Sequence, residues 1–291
     1  MLLSGSTFVK NAVKFSYPVK ATIDSLLAFT DEVFLNIGVS DDKTVEYIND
    51  LYATNPKVKI FIREWPGKDQ GTLFYRQETN FIIDKATGKF HLHLQSDEVV
   101  HENDRELLYK ELERYKDNDQ IFGLRNRFIH FEGDFVSLRG AYQAEIRVLR
   151  SGKLEAWGDA QSFKIKGMDD QFIWNLKVKE TGQKITPLSN LRIFHLGFVR
   201  PPKAMFDKTW DMDANYNKGD RLKELQANME KDCPGGLWTY KHWNAMVYHD
   251  TLPIYCKEYV RKFEKDYPQL IRIPARFEDE PDVEANPRFT L

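Results

Sequence analysis

The chain of 291 residues carries a formal net charge of -2, and 42% of its residues are hydrophobic. A general nucleic-acid-binding protein would show a strong basic excess, so the charge balance argues against that class. No apolar stretch approaches the roughly 20 residues needed to span a bilayer, and the N-terminal residues lack a signal-peptide pattern. We expect a cytoplasmic protein without a membrane span, in which Cys233 and Cys256 are thiols rather than a disulfide.

The first half of the chain alternates predicted strands and helices. Runs of strand length occur at LLSGSTFV, EVFLNI, VKIFIRE and KFHLHLQ. Amphipathic helical patterns separate these strands, the first of them after Pro18, and a charged helix carrying Leu108 and Leu112 follows the last strand. Such alternation predicts an α/β fold of the Rossmann-like kind, with a mainly parallel sheet flanked by helices. In such sheets, ligands bind beyond the carboxyl ends of the strands.

The second half shows a different pattern. IFGLRNRFIHF and NLRIFHLG are predicted strands, and AEIRVLR and KLEAW are predicted to pair as a hairpin that turns at Ser151-Gly152. A helix is predicted over MDDQFIWNLKVKETGQ, ending at Gly182. The region from Pro201 onward is predicted to be mainly helical, because its apolar residues recur at helical spacing.

A cluster of acidic residues follows the fourth predicted strand, in LQSDEVVHE. Asp97 lies just past the strand end, where a carboxylate can bind a hard divalent cation together with substrate phosphates. The alternative is an acidic connection in which Asp97 or Glu98 favours the N-terminus of the next helix. His91 and His93 share one strand face, so a zinc site with Asp97 or His101 is a further alternative. The chain has no HExxH or paired CxxC motif, which argues against zinc.

Two later segments could contact a nucleotide. GVSDDKT follows the second strand and either caps the next helix or binds a ribose or base. HLGFVRPP places His195 and Arg200 near the end of a late strand, with Lys208 following, and phosphate groups attract such cations. The alternative is a surface loop with ordinary basic residues.

Candidate general bases lie between these segments. Asp159 in WGDAQ and the pair Asp169-Asp170 are carboxylates of the required kind, and adjacent carboxylates can raise one another's pKa. The pair equally fits a cap for the helix predicted to begin there.

Taken in order, these motifs resemble those of a glycosyltransferase of the GT-A fold, in or near the large family 2. SGSTFVKNAV resembles the family's opening strand, and Ser40, Asp42 and Thr44 match its Ser-x-Asp-x-Thr turn. LHLQSDEVVHE resembles the strand that ends in the metal-binding DXD motif, with Gln95 in place of the first Asp. RIFHLGFVRPPKAMFDK resembles a late segment that reads HYGWVRPP with a following lysine. The resemblance covers about residues 4–208.

The resemblance implies an enzyme that moves a sugar from a nucleotide-sugar donor to a hydroxyl of a carbohydrate or other acceptor. It implies a single displacement with inversion and a Mn²⁺ or Mg²⁺ ion bound by Asp97 and His195. Arg200 and Lys208 would neutralise the diphosphate. The other residues expected to bind the nucleotide sugar are Phe8, Asn11, Gly38, Ser40, Asp42, Gln77, Asn80, Gln95 and Ser96.

The resemblance also bears on the base and on the domain organisation. It favours Asp159 slightly as the base that deprotonates the acceptor, with Asp170 as the other candidate. Arg147 and Arg150 are expected to touch the donor or acceptor, or else to be solvated. Residues 1–210 would form the transferase domain, and residues 211–291 a helical extension packed on it.

Other classes stay open at this point. A nucleotidyltransferase that makes nucleotide sugars would need a Gly-rich phosphate loop with Arg and Lys, and SGSTFVKNA offers only Lys10. A non-catalytic module that binds a sugar or nucleotide would account for Gln95 as a trace of lost catalysis. A hydrolase that uses Asp97 and the histidines is a more distant alternative.

Overall fold

The computed structural model describes residues 2–66, 71–141, 144–168, 184–240 and 246–280. The strands are β1 (Leu3–Val9), β2 (Glu32–Gly38), β3 (Val58–Arg63), β4 (Phe90–His93), β5 (Glu98–Val100), β6 (Gly123–Glu132), β7 (Ala144–Arg150), β8 (Leu154–Trp157), β9 (Ser162–Ile165) and β10 (Leu188–Phe198). The α-helices are α1 (Val19–Phe29), α2 (Thr44–Tyr52), α3 (Leu73–Ile83), α4 (Arg105–Tyr115), α5 (Pro202–Tyr216), α6 (Gly219–Asp232) and α7 (Lys257–Asp266). Within these ranges, no helix is both long and apolar enough to cross a membrane.

Eight strands form one sheet in the order β3-β2-β1-β4-β7-β6-β10-β5. β1 pairs in parallel with β2 and β4, β2 with β3, and β6 with β10. β7 is antiparallel to both β4 and β6, and β5 is antiparallel to β10. Within this sheet, all strands except β5 and β7 therefore run in one direction, and their carboxyl ends lie at one edge. The predicted α/β class, with a mainly parallel sheet, flanking helices and a mostly helical C-terminal region, is confirmed.

Helices cover both faces of the sheet, which explains why β2 is buried over its whole length. Leu35 and Ile37 pack in one core cluster with residues of α1, such as Leu26. The intervening residue Phe34 belongs to a second cluster, which contains Ile82 of α3. Successive side chains of a strand point to opposite faces, so a strand covered on both faces needs a near-continuous apolar run.

The sheet differs from the prediction at two places. The chain does turn after Ser151, with Gly152 at φ +76°, but β7 and β8 do not pair with each other. Both edges of β7 are occupied by β4 and β6, so β8 pairs with β9 and the predicted hairpin is wrong. β5 was not predicted, because its three residues lie in the acidic segment that resembles a loop.

Two buried arginines correct another prediction. The Arg147 guanidinium donates to both carboxylate oxygens of Glu98 at 2.7 Å, and neither side chain is exposed. Arg150 donates to the backbone carbonyls of four residues near the end of α4, including Tyr115 and Ile121. Both interpretations offered for these arginines, contact with a substrate and solvation, are therefore wrong. They hold β7 against β5 and the α4–β6 connection.

Several predictions concern the second half of the chain. The helix predicted to end at Gly182 falls, from residue 169 onward, outside the described residues, and so do the candidate bases Asp169 and Asp170. The proposed boundary between residues 210 and 211 falls inside α5. Cys233 and Cys256 are both buried and free.

A buried carboxylate connects the start of β2 to the turn before β4. Glu32 accepts hydrogen bonds from the Ser4 hydroxyl, the Lys59 ammonium, and the backbone N–H and hydroxyl of Thr87. Burial raises the pKa of Glu32, but these hydrogen bonds outweigh it and lower the pKa from 4.5 to about 2. The ionised carboxylate therefore stabilises the fold above about pH 4.5, and this contribution is lost as the pH falls towards 2.

We expect Glu32→Gln to lower the free energy of unfolding at pH 7 by about 1–3 kcal/mol, because buried donors lose an ionised acceptor. The difference from the wild type should shrink at pH 3, where less of the carboxylate's contribution remains. Urea unfolding at the two pH values measures this difference in free energy. Glu106→Gln, at an exposed position on α4, is the control. An equal difference at both pH values would contradict the role of the ionised form.

Candidate active site

Two connected cavities lie at the edge of the sheet where β1, β4, β6 and β10 end. The central cavity, of about 490 Å³, lies between these strand ends and α5. The side cavity, of about 430 Å³, continues towards the ends of β2 and β3. Phe8, Ser96 and Lys208 line both, so one elongated ligand could occupy the two cavities together. The predicted site residues that line at least one of them are Phe8, Asn11, Gln95, Ser96, Asp97, Asp159, His195 and Lys208.

Asp97 is the centre of a buried ionic cluster in the central cavity. Its Oδ2 accepts a hydrogen bond of 2.7 Å from Arg200 Nη2 and lies 3.5 Å from Lys208 Nζ. Arg200 is fully buried, donates also to the carbonyls of Gly197 and Phe15, and is not among the described residues that line either cavity, although it was predicted to contact the donor. Burial raises the pKa of Asp97, but the nearby charges, Lys208 first, hold it well below the usual range. The structure thus brings together two cations and one ionised carboxylate that the sequence predicted for one site.

His195 faces Asp97 from β10. Its Nε2 lies 3.9 Å from Asp97 Oδ1, and its Nδ1 lies 3.0 Å from Nδ1 of His130 on β6. Burial lowers the pKa of His195 to about 3, so the imidazole is neutral at neutral pH. When His195 Nδ1 carries the proton and donates to His130, the lone pair of Nε2 is free on the side of Asp97. His130 was not predicted as a site residue from the sequence, although it lies near the carboxyl end of β6 and shares one strand face with Phe128.

Asp97 and His195 are the two described residues of the central cavity that could together contact one divalent cation. Two ligands that each lie roughly 2.0–2.2 Å from an ion can be up to about 4.3 Å apart, which accommodates the 3.9 Å separation. A Cβ atom on Gly197 would lie 2.6 Å from His195 Nε2 and 3.0 Å from Asp97 Oδ2, so this glycine keeps the space free. In the described part of the chain, no group of three His, Cys, Asp or Glu residues could hold a metal. Water and substrate phosphates would complete the coordination, as is usual for Mg²⁺.

Gly197→Ala is expected to displace the His195 ring, because the added methyl group would overlap it. We expect the affinity for Mn²⁺ in the presence of a nucleoside diphosphate to fall about 10–100-fold. Losses of this size are typical when a metal ligand is no longer held in its orientation. Titration of Mn²⁺ followed by its electron paramagnetic resonance signal measures this. Binding of the same nucleotide without metal, in the same variant, is the control. Unchanged Mn²⁺ affinity would contradict the assigned role of the His195 side chain.

Aromatic rings line the side cavity. The ring centroid of Trp65 lies 5.7 Å from that of Phe8 and 6.1 Å from that of Phe74. A Cβ atom on Gly38 would lie 2.9 Å from the Trp65 indole, so the glycine allows the indole to pack against the end of β2. Among the described residues, the buried indole Nε1 of Trp65 has no hydrogen-bond partner. Trp65 was missed in the sequence, although it follows β3 just beyond its carboxyl end.

The GVSDDKT segment mainly supports a neighbouring loop. Ser40 Oγ accepts from the backbone N–H of Asn11, and Asp42 Oδ2 accepts from that of Lys14. Asn11 Oδ1 in turn accepts from the backbone N–H of Asp41, and Asn11 and Asp41 line the side cavity. Ser40 and Asp42 are not among the described residues that line either cavity. They act on the site through the loop that carries Asn11.

The two residues predicted on α3 do not reach the described lining of either cavity. Gln77 is exposed, and Asn80 Oδ1 accepts a hydrogen bond from the backbone N–H of Ala156. The two strand histidines also lie elsewhere: His91 Nε2 and His93 Nδ1 both contact the Ser6 hydroxyl in the core. The structure therefore gives no support to a zinc site built on those histidines.

Asp159 follows β8 and lines the central cavity, as Asp97 and His195 do. The Tyr216 hydroxyl, at the end of α5, donates to Asp159 Oδ2 at 2.7 Å. The backbone N–H of Gln161 donates to the other carboxylate oxygen at 3.3 Å. Two donors thus fix the orientation of this carboxylate. No sequence signal pointed to Tyr216, because it lies 57 residues further along the chain.

Comparisons with solved structures find similar chains. A crystal structure of residues 1–349 of TarS from S. aureus in complex with UDP-GlcNAc matches with a TM-score of 0.44 and 16% identity. That match covers 79% of this chain and 72% of the other. The same fragment in complex with UDP matches over the same shares with a TM-score of 0.40 and 14% identity. At such identity the likeness concerns the fold alone. No protein-family profile and no curated protein matches the chain.

Proposed function

We propose that the protein is a glycosyltransferase that moves a sugar from a nucleotide-sugar donor to an acceptor hydroxyl, with inversion at the anomeric carbon. The observation that carries this proposal is the buried cluster of Asp97, His195, Arg200 and Lys208 at the strand ends. The cluster opens towards a side cavity of aromatic and polar residues. Its cations suit a diphosphate, and the side cavity has the size and aromatic lining that suit a nucleoside.

The donor would lie along both cavities. Its diphosphate would contact Lys208, with the charge of the buried Arg200 behind it, and its nucleoside would contact Asn11 and Trp65 in the side cavity. Burial, with the charge of Arg200, lowers the pKa of Lys208 to about 7. An anionic ligand would favour the charged form of this lysine.

Asp97 and His195 would hold a Mn²⁺ or Mg²⁺ ion in this arrangement. When bound, the ion supplies Lewis-acid stabilisation of the leaving diphosphate. Asp97 would contribute an ionised oxygen. His195 would contribute a neutral nitrogen, and its ring is oriented by the contact with His130. Gln95 stands in place of the first Asp of the DXD motif, so the ion would be held partly by the substrate phosphates.

Asp159 would act as the general base. The oxygen of the acceptor hydroxyl forms a bond to the anomeric carbon, the bond from that carbon to the diphosphate breaks, and the hydroxyl proton passes to Asp159. The Tyr216 hydroxyl would orient the carboxylate for this transfer. Asp170 remains the other candidate for the base.

Thermal unfolding in the presence of UDP, GDP and nucleotide sugars, with and without Mn²⁺, tests donor binding. A ligand at a hundred times its dissociation constant should stabilise the protein by about 2.7 kcal/mol. Release of nucleoside diphosphate from the stabilising donor then tests turnover, which a non-catalytic binding module would lack. If no nucleotide shifts the unfolding midpoint under any condition, the proposed donor site is wrong.

A further inference from the structure

A third cavity adjoins the central one on the far side of α5. It has a volume of about 570 Å³ and is lined by the segment after β6, by α5, by α6 and by the chain that follows α6. Arg139 and Gly140 line both this cavity and the central one. A ligand in the third cavity can therefore extend past Arg139 towards the groups around Asp159. We refer to it as the α5–α6 cavity.

The two faces of α5 explain how the cavities are related. Lys208, Met212 and Tyr216, spaced four residues apart, line the central cavity. Thr209 and Asp213, also four apart, line the α5–α6 cavity. Residues at this spacing share a helix face, so α5 presents one stripe of side chains to each cavity.

The lining of the α5–α6 cavity combines apolar surface with carboxylates. Leu225, Met229 and Trp238 contribute the apolar part. Glu132 and Asp213 contribute carboxyl groups, as does Asp232 at the end of α6. Among the described residues of this lining, Arg139 is the cation. The Cζ atom of its guanidinium lies 3.8 Å from the ring centroid of Phe198, and the guanidinium forms an ion pair with Glu132. The cavity therefore has an acidic balance and an indole surface.

We propose that the α5–α6 cavity binds the acceptor, and that this acceptor is an uncharged carbohydrate with an apolar face or aglycone. The proposal rests on the proposed transferase function and narrows its substrate class. Sugar hydroxyls donate to carboxylate oxygens, while an indole offers a flat apolar surface to a sugar ring or aryl group. The carboxylates of this lining repel acceptors that carry carboxylate or phosphate groups. The reacting hydroxyl of the acceptor would point past Arg139 towards Asp159.

Leu225→Trp tests the cavity, because the larger side chain would fill part of it. Ala227→Trp is the matched control, since Ala227 lies exposed on the same helix, α6. Saturation-transfer NMR with p-nitrophenyl glucoside, galactoside and N-acetylglucosaminide detects binding, and p-nitrophenyl glucuronide is the anionic probe. We expect at least one neutral glycoside to bind the wild type and Ala227→Trp. Its affinity for Leu225→Trp should be lower by a factor of about ten or more. The glucuronide should bind the wild type more weakly than the glucoside.

Asp213→Asn provides a second variant that does not alter the size of the cavity. It should reduce the preference for glucoside over glucuronide, because it removes one repelling carboxylate. The unfolding midpoint with UDP or GDP should shift equally in all four proteins, since the donor cavities are unaltered. Two results would overturn the acceptor proposal while the donor site stands. One is that nucleotides bind but no neutral glycoside does, and the other is that Leu225→Trp binds glycosides as well as Ala227→Trp does. Glycoside binding without any nucleotide binding would instead overturn the proposed function.

Discussion

Asp97→Asn is expected to lower the free energy of unfolding by about 3–5 kcal/mol and to abolish the metal-dependent stabilisation by nucleotides. The carboxylate of Asp97 compensates two buried cations, Arg200 at 2.7 Å and Lys208 at 3.5 Å. An amide leaves the charge of Arg200 uncompensated, and removing one partner of a buried ion pair is costly for that reason. The same substitution takes away the ionised oxygen that would bind a divalent cation. Urea unfolding without ligand, followed by thermal unfolding with UDP or GDP and Mn²⁺, measures the two effects separately.

Asp207→Asn is the matched control for this substitution. Asp207 forms an ion pair with Lys203 on the surface of α5, and exposed pairs contribute about 0–1 kcal/mol. We expect this variant to unfold nearly as the wild type does and to keep its response to nucleotide and metal. A variant Asp97→Asn that still showed a Mn²⁺-dependent shift would contradict the assignment of Asp97 as a metal ligand, even if its stability fell as expected.

Asp159→Asn is expected to lower kcat about 10²–10⁴-fold while the affinity for the donor nucleotide stays unchanged. An asparagine retains the shape of the side chain and a hydrogen bond to Tyr216, but it cannot accept the proton of an acceptor hydroxyl. Asp159 accepts a hydrogen bond from Tyr216, whereas Arg200 and Lys208 both contact Asp97, so nucleotide binding should not depend on Asp159. Release of nucleoside diphosphate at saturating donor and acceptor gives kcat, and the thermal shift with nucleotide gives the control.

The same assay separates the two candidates for the base. Tyr216→Phe should lower kcat less than Asp159→Asn does, because it removes one donor to the carboxylate and leaves the carboxylate itself. If Asp159→Asn keeps its kcat while Asp170→Asn loses it, Asp159 is not the base and Asp170 takes that role.

Local sequence patterns were enough to predict the first half of the fold. The apolar run at β2 and the alternation at β4 indicated strands, and the amphipathic stretches between them indicated α1 to α3. Parallel strands joined by helices have their carboxyl ends at one edge, so the segments after β2 and β4 lie near each other. Asp41 and Ser96 line one cavity for this reason.

Pairing between distant segments could not be predicted in the same way. The alternation of β7 and the turn at Ser151-Gly152 suited a hairpin, yet β4 and β6 take both edges of β7. The bidentate pair of Arg147 and Glu98 depends on the same arrangement, which places β7 near β5. A strand's own residues specify that it is extended and which faces are apolar, but its partners depend on how the whole sheet is ordered.

The sequence by itself therefore determined the α/β class, through its alternating strand and helix patterns. Its resemblance to a known family is what grouped Asp97, His195, Arg200 and Lys208 in one predicted site. Only the tertiary structure added His130, Trp65 and Tyr216 to the site. Each of them reaches it from a separate element, and no local pattern specifies such a contact. The tertiary structure likewise directed the polar groups of Ser40, Asp42 and Asn80 to backbone groups of neighbouring segments. A polar side chain binds whatever donor or acceptor the fold places within about 3 Å, and that placement is decided by packing over the whole chain.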